Sequence, residues 1–93
     1  IRTEKGKILV VHSFTGVFEY IKEIKQFKII QKETKGITIE YIKSKGFTKS
    51  VLTRVINELQ EYIQEPNFYI KFKEVDIILP TKSGKPQIIE SYL

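Results

Sequence analysis

The stretch GFTKSVLTRVINELQEYI, residues 46–63, decides the predicted fold. Read at about 3.6 residues per turn, it places its apolar side chains on one stripe: Leu52, Val55, Ile56, Leu59, Tyr62 and Ile63. A second stripe holds two cations, two hydroxyls and a carboxamide, and no carboxylate: Lys49, Ser50, Thr53, Arg54 and Asn57. Because such groups suit a phosphate backbone with base edges behind it, the pattern predicts a DNA-binding helix.

Composition narrows the class of protein. The chain has 93 residues, of which 41% are hydrophobic and 29% charged, as in one ordinary globular domain. Sixteen Lys and Arg against eleven Asp and Glu give a net charge of +5, which favours a polyanionic partner. Without cysteine, the single His12 cannot complete a usual zinc site, so we expect neither metal nor cofactor.

The chain carries no apolar run of membrane-spanning length and no leader pattern. We therefore predict a cytoplasmic, nucleoid-associated protein that does not enter a membrane. Abundant Ile, Lys and Glu, with no Cys or Met, is typical of hyperthermophile and hence archaeal usage, and also of AT-rich genomes.

The first third of the sequence predicts a long helix. Residues 7–14 form an apolar run that fits either a buried strand or the start of this helix. Ser13 or Thr15 is a suitable N-cap, and Gly36 a suitable stop. Between them, apolar residues recur every three or four positions: Val17, Tyr20, Ile21, Ile24, Phe27 and Ile30.

A second, short helix is predicted for residues 38–45, although residues 37–39 also fit a very short strand. Gly46 permits a sharp turn after it, and the Thr48 hydroxyl is placed to accept a hydrogen bond from the start of the next helix. Phe47 and Leu52 are spaced as a hydrophobic staple.

Residues 38–59, TIEYIKSKGFTKSVLTRVINEL, resemble the helix-turn-helix of winged-helix regulators. In that pattern a short helix opening with Thr-Ile-Glu leads to a glycine, an apolar residue and a Thr/Ser-Lys-Ser start of the recognition helix. The resemblance implies an α+β winged helix-turn-helix, with a three-helix core and a C-terminal β-hairpin wing, in a single domain over residues 1–93.

The C-terminal third predicts the wing. Residues 68–73 alternate apolar and polar, residues 75–79 continue in extended style, and residues 80–86 carry the strongest turn signal in the chain. Residues 87–92 can return as the second strand, which places Lys82, Ser83 and Lys85 at the wing tip. The alternative is a tighter hairpin turning at residues 73–74, with residues 81–85 leading into a final helix.

These observations predict a sequence-specific double-stranded DNA-binding protein, most simply a homodimeric transcriptional regulator. Arg54 suits guanine and Asn57 suits adenine in the major groove, beside Lys49, Ser50 and Thr53. Contacts to the DNA backbone are assigned to a further set: Lys43, Lys45, Thr48, Lys82, Ser83 and Lys85.

Two other functions remain open on the sequence alone. The same scaffold serves as the DNA-binding adaptor of plasmid segregation or replication complexes. It could also be a protein-interaction module that holds another protein and never reads bases. No grouping of residues proposes a reaction, so we do not expect an enzyme.

Overall fold

Two helices and a four-stranded mixed sheet make up residues 1–80 and 88–93, the part of the chain that this computed structural model describes. The elements follow in the order α1 (Val11–Phe18), β1 (Ile24–Glu33), β2 (Gly36–Lys43), α2 (Lys49–Ile63), β3 (Tyr69–Glu74) and β4 (Ile89–Ser91). The fold is therefore α+β.

The sheet has the strand order β3-β2-β1-β4. β1 and β2 form an antiparallel hairpin in which Glu33 pairs with Gly36. α2 then carries the chain back, so β3 lies parallel to β2. At the opposite edge β4 lies parallel to β1, where Ile89 pairs with Ile29.

Both helices cover one face of this sheet. Side chains buried from the helices are Phe14, Val17 and Phe18 on α1 and Val51, Val55, Leu59 and Ile63 on α2. They pack against alternate residues of the central strands: Ile29 on β1 and Ile37, Ile39 and Tyr41 on β2. The four-residue repeat on α2 and the two-residue repeat on β2 are the periodicities of a helix and a strand that each bury one side.

The predicted three-helix winged-helix core is wrong. The first helix ends at Phe18, and residues predicted to extend it form β1 instead. Ile24, Phe27 and Ile30 satisfy a helical spacing, but this β-branched segment gains more by pairing with β2, where Ile29 meets Ile39 and both side chains are fully buried.

The predicted short helix before Gly46 is also wrong, because those residues form β2. Buried Ile37, Ile39 and Tyr41 alternate with half-exposed Thr38 and Glu40, which is a strand pattern. Since this segment is a strand, the described residues contain no helix-turn-helix.

The prediction of the long helix after Gly46 is confirmed. α2 begins directly after Thr48 and ends before Gln64, which takes the left-handed conformation at φ 55°. Gly46, at φ 84°, makes the expected turn. The Thr48 hydroxyl does not cap the helix; it lies 2.7 Å from the Ser50 hydroxyl instead.

The predicted wing is wrong as well. The two C-terminal strands do not pair with each other: β3 pairs with β2, and β4 pairs with β1 on the far side of the hairpin. Local alternation predicted extended chain correctly for β3 but cannot specify a partner strand. The proposed wing-tip residues Lys82, Ser83 and Lys85 lie outside the described residues.

Replacing Gly36 by alanine should destabilise the domain. A Cβ at this position would lie 2.3 Å from Cγ of Tyr69, whose ring covers the glycine across the β2–β3 pair. We expect the free energy of unfolding to fall by about 1–3 kcal/mol.

Gly16 in α1 is the matched control, because nothing lies within 4 Å of a Cβ there. Gly16→Ala should raise stability by about 0.5–1 kcal/mol. Urea denaturation of both variants measures this, and equal stability of Gly36→Ala and wild type would contradict it.

Candidate functional site

The outer face of α2 carries the five side chains predicted to enter a major groove. Lys49, Ser50, Thr53, Arg54 and Asn57 are all exposed, while the opposite side of the helix is in the core. The structure thus leaves this polar face available to a partner.

An acidic side chain lies beside this face, contrary to the acid-free surface expected from sequence. Arg54 Nη2 lies 3.3 Å from Oε1 and 3.5 Å from Oε2 of Glu23, in the segment before β1. The two side chains are 47% and 29% exposed, so the pair is weak by itself. The Glu23 carboxylate nevertheless binds the Arg54 guanidinium, the group that was expected to read guanine.

The cations expected on the DNA backbone differ in their surroundings. Lys43, at the end of β2, lies 3.8 Å from Glu74 on β3, with both side chains about half exposed. Lys45 and Thr48 are exposed in the turn before α2. The fold brings these residues to the N-terminal end of α2, next to Lys49.

The segment with Lys82, Ser83 and Lys85 is flanked by two attachments to β1. Before it, Ile78 is buried and its carbonyl accepts a hydrogen bond from Gln26 Nε2 at 3.5 Å. After it, the carbonyl of Ile88 accepts a hydrogen bond from the Ile29 N–H at 2.7 Å. Since Gln26 and Ile29 are three positions apart on one strand, their backbones are about 10 Å apart. Ile78 and Ile88 are thus both held by β1.

Two apolar side chains are exposed just before this segment. Ile77 and Leu79 are 68% and 69% exposed, on either side of the buried Ile78. Exposed aliphatic side chains so close together can form part of an apolar contact surface. We call residues 77–87, which contain these two side chains, the basic segment.

Sequence reasoning missed the buried polar residues. Gln31 is fully buried in β1, and Glu65, after α2, is 7% exposed. Both bind the backbone of the N-terminal residues: Gln31 bonds to Arg2, and Glu65 Oε1 accepts from the Lys5 N–H at 3.4 Å. A glutamine within an apolar strand is the one sequence signal that could have drawn attention to the first of these.

Two tyrosines on the sheet, Tyr41 and Tyr69, have pKa values above the usual range. The Tyr69 hydroxyl donates to Glu33 Oε1 at 2.8 Å, and this bond, with burial and the glutamate charge, raises the pKa of Tyr69. Burial raises the pKa of Tyr41, and the negative charge of Glu74 adds to the effect. The Tyr41 ring packs between Phe47 and Phe72, with centroids at 5.3 and 6.1 Å.

The shift at Tyr41 predicts alkaline destabilisation. A phenol whose pKa is higher in the folded state stabilises the fold fully below its unfolded pKa of about 10, and this stability is lost as pH rises through the folded pKa. We expect the melting temperature to fall above about pH 10, less steeply in Tyr41→Phe than in wild type. Tyr62→Phe, at a half-exposed position on α2, is the control and should follow wild type. Identical slopes for Tyr41→Phe and wild type would refute the assignment.

The described residues hold no group of three or more potential metal ligands among His, Cys, Asp and Glu. His12 is exposed on α1. Within residues 1–80 and 88–93, neither helix has the length and apolar character needed to cross a bilayer.

The sequence is similar to a known protein family. The family model described as the CapK C-terminal domain matches residues 1–91, almost the whole chain. No curated protein matches the sequence. This match carries no information on DNA binding, and the resemblance of residues 38–59 to winged-helix regulators stays a prediction whose implied fold is wrong.

Proposed function

The chain belongs to the CapK C-terminal domain family, and we propose that it works as the C-terminal domain of a larger protein, where the basic segment contacts a phosphate-bearing ligand at the junction with the rest of that protein. In this proposal the domain binds a ligand and packs against the rest of the protein, and it catalyses no reaction of its own. It develops the protein-interaction alternative that the sequence left open.

The composition of the basic segment supports a phosphate ligand. It contains two lysines, two hydroxyl side chains and a glycine: Thr81, Lys82, Ser83, Gly84 and Lys85. Lysine ammonium groups bind phosphate as point charges, and hydroxyls donate to phosphate oxygens. Glycine lets the backbone approach a ligand closely. The net charge of +5 also favours an anionic partner.

The observation that carries the proposal is the exposed pair Ile77 and Leu79 immediately before these cations. Aliphatic side chains that are more than two-thirds exposed suit burial against another protein surface. The family description supports this, since a C-terminal domain can pack against the part of the protein that precedes it. Ligand sites occur preferentially at domain interfaces, so cations bordering an apolar contact are well placed to meet a bound anion.

Titration of the full-length protein that carries this domain tests the proposal. Isothermal titration calorimetry with inorganic pyrophosphate and with ATP, used as phosphate-rich probes, should give saturable binding to at least one. Hydrogen exchange at Ile77 and Leu79 should be slower in the full-length protein than in the 93-residue chain. Absence of binding to both probes at millimolar concentration, with equal exchange in the two proteins, would contradict it.

Duplex DNA binding through α2 remains a second proposal, favoured by the exposure of all five predicted residues on one side of the helix. Fluorescence anisotropy with a labelled duplex at two salt concentrations tests it. If it holds, Arg54→Ala with Asn57→Ala should weaken binding to a selected sequence by at least about ten-fold. Binding that is independent of these two residues would remove α2 as the reading surface.

A further inference from the structure

Gln31 is the fully buried polar side chain that ties the N-terminal hook, residues 1–9, to the sheet. Its Oε1 accepts a hydrogen bond from the Arg2 N–H at 2.8 Å, and its Nε2 donates to the Arg2 carbonyl at 2.6 Å. The carboxamide thereby pairs with one residue as a neighbouring strand would. A buried amide is stable only when both of its ends are bonded, so Gln31 needs this partner.

The N-terminal hook is held together by its own backbone hydrogen bonds. The Leu9 N–H donates to the Ile1 carbonyl at 2.7 Å, and the Thr3 N–H donates to the Lys7 carbonyl at 2.8 Å. The buried Thr3 hydroxyl accepts from the Lys7 N–H at 3.0 Å. Gln31 therefore holds a small closed structure and not a loose chain end.

The backbone of Gln31 holds the other end of the domain. Its carbonyl accepts a hydrogen bond from the Tyr92 N–H at 2.9 Å, and it pairs with Ser91 in the β1–β4 register. A cleft of about 170 Å³ separates the two attached segments and is lined by Ile1, Arg2, Ile8, Gln31, Ser91 and Leu93. One residue thus binds the hook through its side chain and the end of β4 through its backbone.

We infer that Gln31 is a positioning residue that couples the N-terminal hook to β4. β4 has only three residues, and a strand of that length depends on support from its surroundings. The meaning of this coupling rests on the proposed function: the hook follows the preceding part of the protein, and β4 follows the basic segment. A displacement of the hook would then reach β4, the strand that follows the basic segment in the sequence.

Amide hydrogen exchange of the 93-residue chain tests the coupling without any ligand, so its failure is distinguishable from failure of the proposed function. The readout is the Tyr92 N–H, whose acceptor is the Gln31 backbone carbonyl and is kept in every variant. In Gln31→Leu we expect this amide to exchange at least about ten times faster than in wild type, because the hook loses its hydrogen bonds to β1 at the residue where the end of β4 is attached.

Val55→Ala is the control for general loss of stability. Val55 is fully buried on α2 and makes no bond to the hook or to β4. This variant should leave Tyr92 exchange within about two-fold of wild type, as expected for a local opening. The inference is overturned if Tyr92 is unchanged in Gln31→Leu, or if Val55→Ala accelerates it equally.

A second variant distinguishes the effect of the hydrogen bonds of the Gln31 side chain from the effect of its shape. In Gln31→Glu the ionised carboxylate can accept from the Arg2 N–H but cannot donate to the Arg2 carbonyl, whereas the protonated acid can do both. Because burial raises the pKa of a carboxyl group, the two forms are compared at about pH 9 and about pH 4. The ratio of Tyr92 exchange in variant and wild type should be about ten at pH 9 and should approach one at pH 4. A ratio that does not change with pH would show that the side chain acts by shape alone.

Discussion

Replacing Phe14 by alanine is expected to lower the free energy of unfolding by about 3–5 kcal/mol. Phe14 is fully buried in α1 and lies in the core between the helices and the sheet. Removing its ring leaves a cavity between α1 and the sheet, because the close-packed residues around it can move only a little to fill the space. A domain of this size has a total stability of about 5–15 kcal/mol, so the variant should be close to unfolding.

Urea denaturation followed by circular dichroism measures this loss. Val11→Ala is the matched control, since Val11 lies on the same helix and is 38% exposed. It should cost less than about 1 kcal/mol. If both variants lost similar stability, α1 would not be the packed element that the structure shows.

Under the proposed function, replacing Lys82 and Lys85 together by alanine is expected to weaken binding of pyrophosphate or ATP to the full-length protein by at least about ten-fold. The physical reason is the loss of two positive charges at the ligand phosphates. Their effect should decrease as salt concentration rises, because ions screen exposed charges.

Lys71→Ala with Lys73→Ala is the control for this experiment. These lysines are exposed on β3 and their loss makes the same change in net charge, from +5 to +3, because two cations are removed in each case. Calorimetric affinity should stay within about two-fold of wild type, because β3 is the edge of the sheet opposite β4. Equal weakening by both pairs would mean that total charge, and not the basic segment, attracts the ligand.

The sequence predicted those parts of the fold that local patterns decide. α2 was recognisable because its apolar side chains recur at helical spacing and Gly46 marks the turn before it. β1 was misread because Ile24, Phe27 and Ile30 fit a helical stripe, while the preference for β1 comes from pairing with a strand that forms later in the chain. The parallel pairing of β4 with β1 joins residues about sixty positions apart, and no local pattern encodes it.

Local sequence patterns likewise predicted some features of the candidate site and missed those that depend on residues far apart in the sequence. The exposure of Thr53 and Asn57 follows from helical periodicity, and the structure agrees. The ion pair between Arg54 and Glu23 joins residues 31 positions apart, so helical periodicity could not reveal it. The same holds for Gln31, whose partners lie at both ends of the chain.

Lysine acetylation footprinting of the full-length protein tests the central claim most directly. Mass spectrometry would follow the labelling rates of Lys82 and Lys85 with and without the bound phosphate probe, with Lys71 and Lys73 as internal references. We predict that the probe slows labelling of Lys82 and Lys85 by at least about five-fold and leaves the references unchanged, because an ammonium group in contact with phosphate is shielded from the reagent. Equal labelling of Lys82 and Lys85 in the presence and absence of a saturating probe would contradict the claim that the basic segment contacts the ligand.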